Sequence, residues 1–141
     1  MYETFEHTAD LGLRIRAADL DALFAEAAQA LFSVIVEDIQ AIAPRQKFEV
    51  RLQGDEREYL LFDWLNWLLY EFDTKHFVCG KFEVHAEPSP MVPTGLYAKV
   101  WGEPLDPARH GLGHEVKAIT YHGLKVEQTS DGWLAEVIVD I

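Results

Sequence analysis

A length of 141 residues with a single cysteine suits one domain that carries no disulfide of its own and builds no cysteine-rich zinc site. Hydrophobic residues make up 49% of the chain, four of them Trp and eight Phe, which excludes disorder. The formal charge of −12 argues against tight independent binding of nucleic acid or an anionic membrane, since either needs clustered cations. The first residues lack a basic region followed by an apolar signal core, and no apolar run approaches ~18 residues. A soluble, cytoplasmic protein in a reducing compartment is expected.

Alternation of apolar and polar residues predicts strands over 2–5 and 11–16. The period then lengthens: Leu20, Leu23, Phe24, Ala27, Leu31, Val34 and Ile35 recur at three and four, which predicts a helix over 19–37 with Asp19 as its cap. Phe48, Val50 and Leu52 alternate again and stop at the turn signal Gly54-Asp55. A second helix is predicted over 56–72, with Leu60, Leu61, Trp64, Leu65, Leu68, Leu69 and Phe72 on one broad face. Tyr59, Phe62, Trp67 and Tyr70 widen that face, so the helix is either buried or a partner-binding stripe.

Beyond Phe77 the pattern is one of strands, over 81–87, 96–101, 116–122, 124–128 and 133–140. Asp131-Gly132 favours a tight hairpin between the last two, and 88–93 and 102–114 are the irregular connections. The resulting order predicts an α+β fold, two helices packed on one side of a largely antiparallel sheet.

Motifs for phosphate loops, dinucleotide turns, nucleophile elbows and HExxH zinc helices are absent. His110 and His114 have helical spacing, but Gly111 and Gly113 lie between them and disfavour a shared face. The acids at the chain's extremes are more suggestive. Asp10 sits between two strands, and the run 133–140 ends in Asp140 followed by Ile141 with its terminal carboxylate. If those strands are neighbours, the three groups form an all-oxygen cluster suited to a hard cation. In the plainer reading Asp10 caps a turn and Asp140 is a solvated end, and both readings stand at this level. Alternation over 116–122 puts Lys117, Ile119 and Tyr121 on one face of a strand. Lys117 is there either a solvated surface charge or a cation placed to touch a metal-bound phosphate. His122 reads first as a structural histidine.

Several segments taken together resemble one family. They are His7-Thr8-Ala9-Asp10-Leu11-Gly12, Leu23-Phe24-Ala25-Glu26-Ala27-Ala28, Trp64-Leu65-Asn66, Leu68-Leu69-Tyr70, Gly102-Glu103, Asp106 with Arg109-His110, Glu115-Val116-Lys117-Ala118, Thr120-Tyr121-His122 and Val139-Asp140-Ile141. In this order, along the whole chain, they resemble the archease family. The resemblance implies an accessory protein and not a free-standing enzyme. Archeases assist the RtcB-type RNA ligase that joins tRNA exon halves, promoting its guanylylation and multiple turnover and broadening its nucleotide use. It also implies a metal site, associated with calcium, on Asp10, Asp140 and Ile141. Lys117 is carried over as a functional neighbour, with Glu115 and His122 as further candidate phosphate or partner contacts. Two departures stand out: Ala17-Ala18 where a Gly is common, and Trp67 where an acid is usual. Competing readings are a stand-alone metal-dependent phosphoester hydrolase with His122 or Glu115 as base, and a general chaperone or interaction module working through the Trp64/Trp67 helix.

Overall fold

Period-two alternation at the N-terminus builds a hairpin of β1 (Tyr2–His7) and β2 (Asp10–Ala17). Leu13 and Ile15 of β2 are fully buried, while Arg14 and Arg16 take the outer face. The computed structural model describes residues 1–7, 10–54, 56–87 and 95–141. The expected connection at 88–93 lies outside the described residues, as does Asp55 of the expected turn.

Helix α1 (Leu20–Ile35) starts as its sequence dictates, with the Asp19 side chain accepting a hydrogen bond from the Ala22 amide at 2.8 Å. A short 3-10 turn, Ile39–Ala41, and strand β3 (Gln46–Gln53) follow. Helix α2 (Arg57–Lys75) runs one turn past the predicted end and stops at His76, which takes the left-handed conformation at φ 51°. The broad apolar face of α2 is core: Leu60, Leu61, Trp64, Leu65, Leu68 and Leu69 are all buried. Trp64 is wholly enclosed, and its indole N–H donates to the Phe24 carbonyl at 2.9 Å, tying α2 to α1. Trp67 is half-buried and stacks on Trp64 with ring centroids 6.2 Å apart.

The remaining elements are β4 (Phe77–Glu87), β5 (Gly95–Pro104), α3 (Pro107–His110), β6 (Ala118–Ile119), β7 (Lys125–Thr129) and β8 (Gly132–Asp140). Pairing is antiparallel throughout the described strands. The α+β class holds, but the expected single sheet is two. One has the order β1-β2-β8-β6 with β7 also on β8, and the other is β3-β5-β4. Helices α1 and α2 each touch strands of both sheets, so they connect the two instead of covering one side of one. Alternation identifies which side chains share a face and is silent on which strand lies next door, so the split was not readable from it.

Two other expectations change. The strand predicted over 116–122 shrinks to Ala118–Ile119, because Val116 and Ile119 are the buried residues and their spacing of three breaks a period of two. The connection at 102–114 is partly regular, since β5 reaches Pro104 and Asp106 caps α3 through the Ala108 amide. The β7–β8 hairpin forms as expected around Ser130 and Asp131. Gly132 has φ 156°, and a Cβ there would collide with the Ala17 carbonyl oxygen, so this position admits no side chain.

Candidate functional site

The sheet register brings the start of β2 against the end of β8. Antiparallel pairing of β2 with β8 sets Leu13 opposite Val137 and Leu11 opposite Val139, and its last rung is Asp10 opposite Asp140. Directly opposed residues share a face, with Cβ atoms about 4.5–5.5 Å apart, so the two carboxyl groups lie within reach of one ion. Both residues are half-buried, and Ile141 follows immediately. Their face is the outer one, because Leu11, Leu13, Val137 and Val139 carry the alternate side into the core.

Neither acid has a cationic partner among the described residues. A nearby rung of the same sheet shows the contrast. Arg14 lies level with Glu3 on one side and Glu136 on the other. Its guanidinium donates to both carboxylates, at 3.3 Å and 2.6 Å, and sits 4.6 Å from the Phe5 ring centroid. The Glu136 bond, then the Glu3 bond, holds the Arg14 pKa above its ordinary value. Arg14 is four residues along β2 from Asp10, about 13 Å of strand, too far to neutralise the terminal rung.

The donor set of the terminal rung is oxygen alone, which fits a hard cation and not zinc or copper. Among the described residues no three His, Cys, Asp or Glu side chains converge. A cation at Asp10 and Asp140 would therefore draw its remaining ligands from main-chain oxygen, water or a partner.

Of the other predicted residues, Lys117 lies nearest. Its backbone N–H donates to the Asp140 carbonyl at 2.7 Å, and its side chain is exposed. Ala118 is the residue level with Asp140, so Lys117 borders the rung from one position beyond it. The Thr120 amide and hydroxyl both donate to Ile138, which fixes this segment against β8. Glu115 is exposed and lies toward α2. Asp73 of that helix is held above its ordinary pKa by burial first and the Glu115 charge second. His122 is exposed in the turn after β6, not on a strand.

One constellation carried no role in the sequence reading. Glu103, at the end of β5, is 1% exposed and His110 fully buried. Arg109 approaches Glu103 Oε1 at 2.7 Å, while the Ala43 amide and His110 Nε2 both reach Oε2 at 2.8 Å. Because His110 Nδ1 accepts from the Asp106 amide at 3.0 Å, Nε2 carries the proton and donates to Glu103. Arg109, then the Ala43 amide and His110, hold the Glu103 carboxyl well below the usual carboxylate range against the opposing effect of burial. This node ties α3 to the 3-10 turn, whose Ala41 carbonyl accepts from Arg109 at 2.8 Å, and to Ala43 just after it. An acid closing an apolar strand, with Arg and His six and seven residues on, was the available signal. The lone Cys79 is buried and its thiol is pushed up to about 12, chiefly by burial, so it is not a nucleophile.

The family model described as "Archease protein family (MTH1598/TM1083)" matches residues 2–141. Protein archease of Pyrococcus furiosus is 39% identical over 144 residues, covering 99% of this chain and 98% of that protein. The solution structure of protein 1598 of Methanobacterium thermoautotrophicum superposes with a TM-score of 0.86 at 30% identity, covering 99% of this chain and 98% of the other. The crystal structure of a Thermotoga maritima archease, described as a possible chaperone, shares the fold with a TM-score of 0.59 at 23% identity, covering 100% and 98%.

Proposed function

This chain belongs to the archease family, and from that premise we propose that it is an accessory protein of an RtcB-type tRNA-splicing RNA ligase. In this reading it promotes guanylylation and multiple turnover of the ligase, broadens its nucleotide use, and works beside it in the cytoplasm. The observation that carries the reading is the Asp10–Asp140 rung, two opposed acids at a sheet end with no cation of their own among the described residues.

Asp10 and Asp140, with main-chain oxygen of Ile141, would hold a divalent ion; oxygen-only donors suit a hard cation, and Ca2+ is the one that the family resemblance implies. When bound, the ion would supply charge neutralisation at the phosphates of the nucleotide. The chain's own residues do the positioning: the β2–β8 register fixes both acids, and the Lys117 amide bond to Asp140 anchors the segment that carries Lys117. Lys117, Glu115 and His122 are the proposed phosphate or partner contacts. The surplus of negative charge suits docking at a basic nucleotide site and gives no support to independent nucleic-acid binding.

A chaperone acting through an exposed Trp64/Trp67 stripe has little support, since Trp64 is enclosed. The test is ligation of tRNA exon halves by limiting ligase with GTP, counting products per ligase. The wild-type chain should sustain many rounds, and Asp10→Ala or Asp140→Ala should return the ligase to about one round while their circular dichroism stays native. Full stimulation by both Ala variants, or phosphoester turnover by the chain without ligase, would overturn the reading.

A further inference from the structure

A cleft near the first turn of α2 takes no part in the carboxylate rung. Glu56, Glu58, Tyr59, Tyr121 and Leu124 line it, and its volume is about 440 Å³. Tyr121 stacks on Phe62 of α2 with centroids 4.0 Å apart and planes 15° from parallel, and Tyr59 meets Tyr121 edge-on at 5.6 Å. Despite these contacts Tyr59 and Tyr121 remain 52% and 56% exposed. Phe62 takes one ring face of Tyr121, and more than half of the residue's surface still stays exposed at the cleft.

Glu56 and Glu58 make no ion pair among the described residues. Arg57, the cation between them in sequence, lies over the Trp133 ring at 4.9 Å instead. Acids in a first helical turn suit the helix dipole, which accounts for the carboxylates but not for two exposed tyrosines beside them. Aromatic faces flanked by carboxylates favour a cation, and a planar guanidinium can stack on the ring while its N–H groups reach the acids. A nucleobase would also stack, but its phosphates would meet the two carboxylates.

We propose that this cleft receives an arginine side chain of a protein partner, with the guanidinium against the exposed tyrosine rings and beside Glu56 and Glu58. Tyr121 is three residues beyond Ala118, the neighbour of Asp140, or about 10 Å of extended chain, so one partner surface can cover both cleft and rung. The inference rests on the accessory role only in needing a protein partner; it does not require that partner to be a ligase.

The experiment is a titration of 15N-labelled protein with Nα-acetyl-arginine amide, with the citrulline analogue and GMP in parallel. The arginine derivative should shift amides of 56–59 and 121–124 saturably, and the uncharged citrulline analogue should not. Tyr121→Ala, and Glu56→Gln with Glu58→Gln, should each weaken the response on the order of fivefold, while Asp10→Ala leaves it unchanged. In the ligation assay Tyr121→Ala should raise the concentration of this protein needed for half-maximal stimulation without lowering the plateau. An equal response to citrulline, a stronger one to GMP, or no loss in the cleft variants would overturn the proposal. The arginine titration stands or falls without ligase, so its failure is separable from failure of the accessory role.

Discussion

Glu103 and the Asp10–Asp140 rung are both acids at strand ends, and the fold treats them oppositely. Glu103 is enclosed, and both its oxygens are taken by Arg109, His110 and the Ala43 amide. Asp10 and Asp140 face one another at a half-exposed sheet end without a cation among the described residues. Where an acid holds structure together, this chain supplies the counter-charge itself, within seven residues for Glu103 and across adjacent strands for the Glu3–Arg14–Glu136 rung. Facing acids without such a counter-charge repel each other, a cost at a cross-strand pair that an outside cation removes.

The contrast can be broken most directly by stability. Glu103→Ala strands a buried histidine and its arginine partner and should cost about 3–5 kcal/mol in urea unfolding, as breaking a buried ionic pair does. A cost no larger than that of Asp140→Asn would erase the distinction. Next in size is the response to metal. Calcium at a hundred times its dissociation constant should stabilise the wild-type chain by about 2.7 kcal/mol, read as a rise in Tm, and should leave Asp10→Asn/Asp140→Asn unmoved. An equal rise in both would place the ion elsewhere.

Acid sharpens the comparison further. The folded Glu103 carboxyl titrates below its ordinary value near 4.5, so its contribution is complete above that pH and fades as the pH falls below it and the unfolded state takes up the proton first. Replacing Glu103 by Gln should flatten this acid limb in pH-dependent unfolding; an unchanged limb would assign acid sensitivity to other groups. The smallest effect belongs to the rung without metal. Asp140→Asn relieves a like-charge cross-strand pair and should raise stability by roughly 0.2–1 kcal/mol. A loss of that size would mean the acids are held by something within the chain.

Much of the fold was legible because local signals agreed with tertiary need. Asp19 caps α1 as its position suggests, the three-and-four spacing of Leu23, Phe24, Ala27 and Leu31 is the buried face, and the β7–β8 hairpin turns before Gly132. The exceptions share a cause. Residues 116–122 alternate like a strand, yet only Ala118 and Ile119 pair, because contact with β8 and the core decides how far the ladder runs. Glu103 went unassigned because an acid after an apolar strand looks solvated until the partners that enclose it are in place. Tyr59 and Tyr121 are far apart in sequence, and nothing in either neighbourhood signals that they share a cleft.

The sequence by itself determined the α+β class, the two principal helices, the acids worth watching and, through a resemblance spanning the chain, the family. Those properties depend on local period, capping and residue chemistry, which are written in adjacent residues. Only the tertiary structure decided that the strands divide into two sheets, that Asp10 stands opposite Asp140, and that Glu103 is neutralised from within. Each of these depends on strand order and register. The free energy that sets them comes from burying one face of each strand against a core assembled from the whole chain.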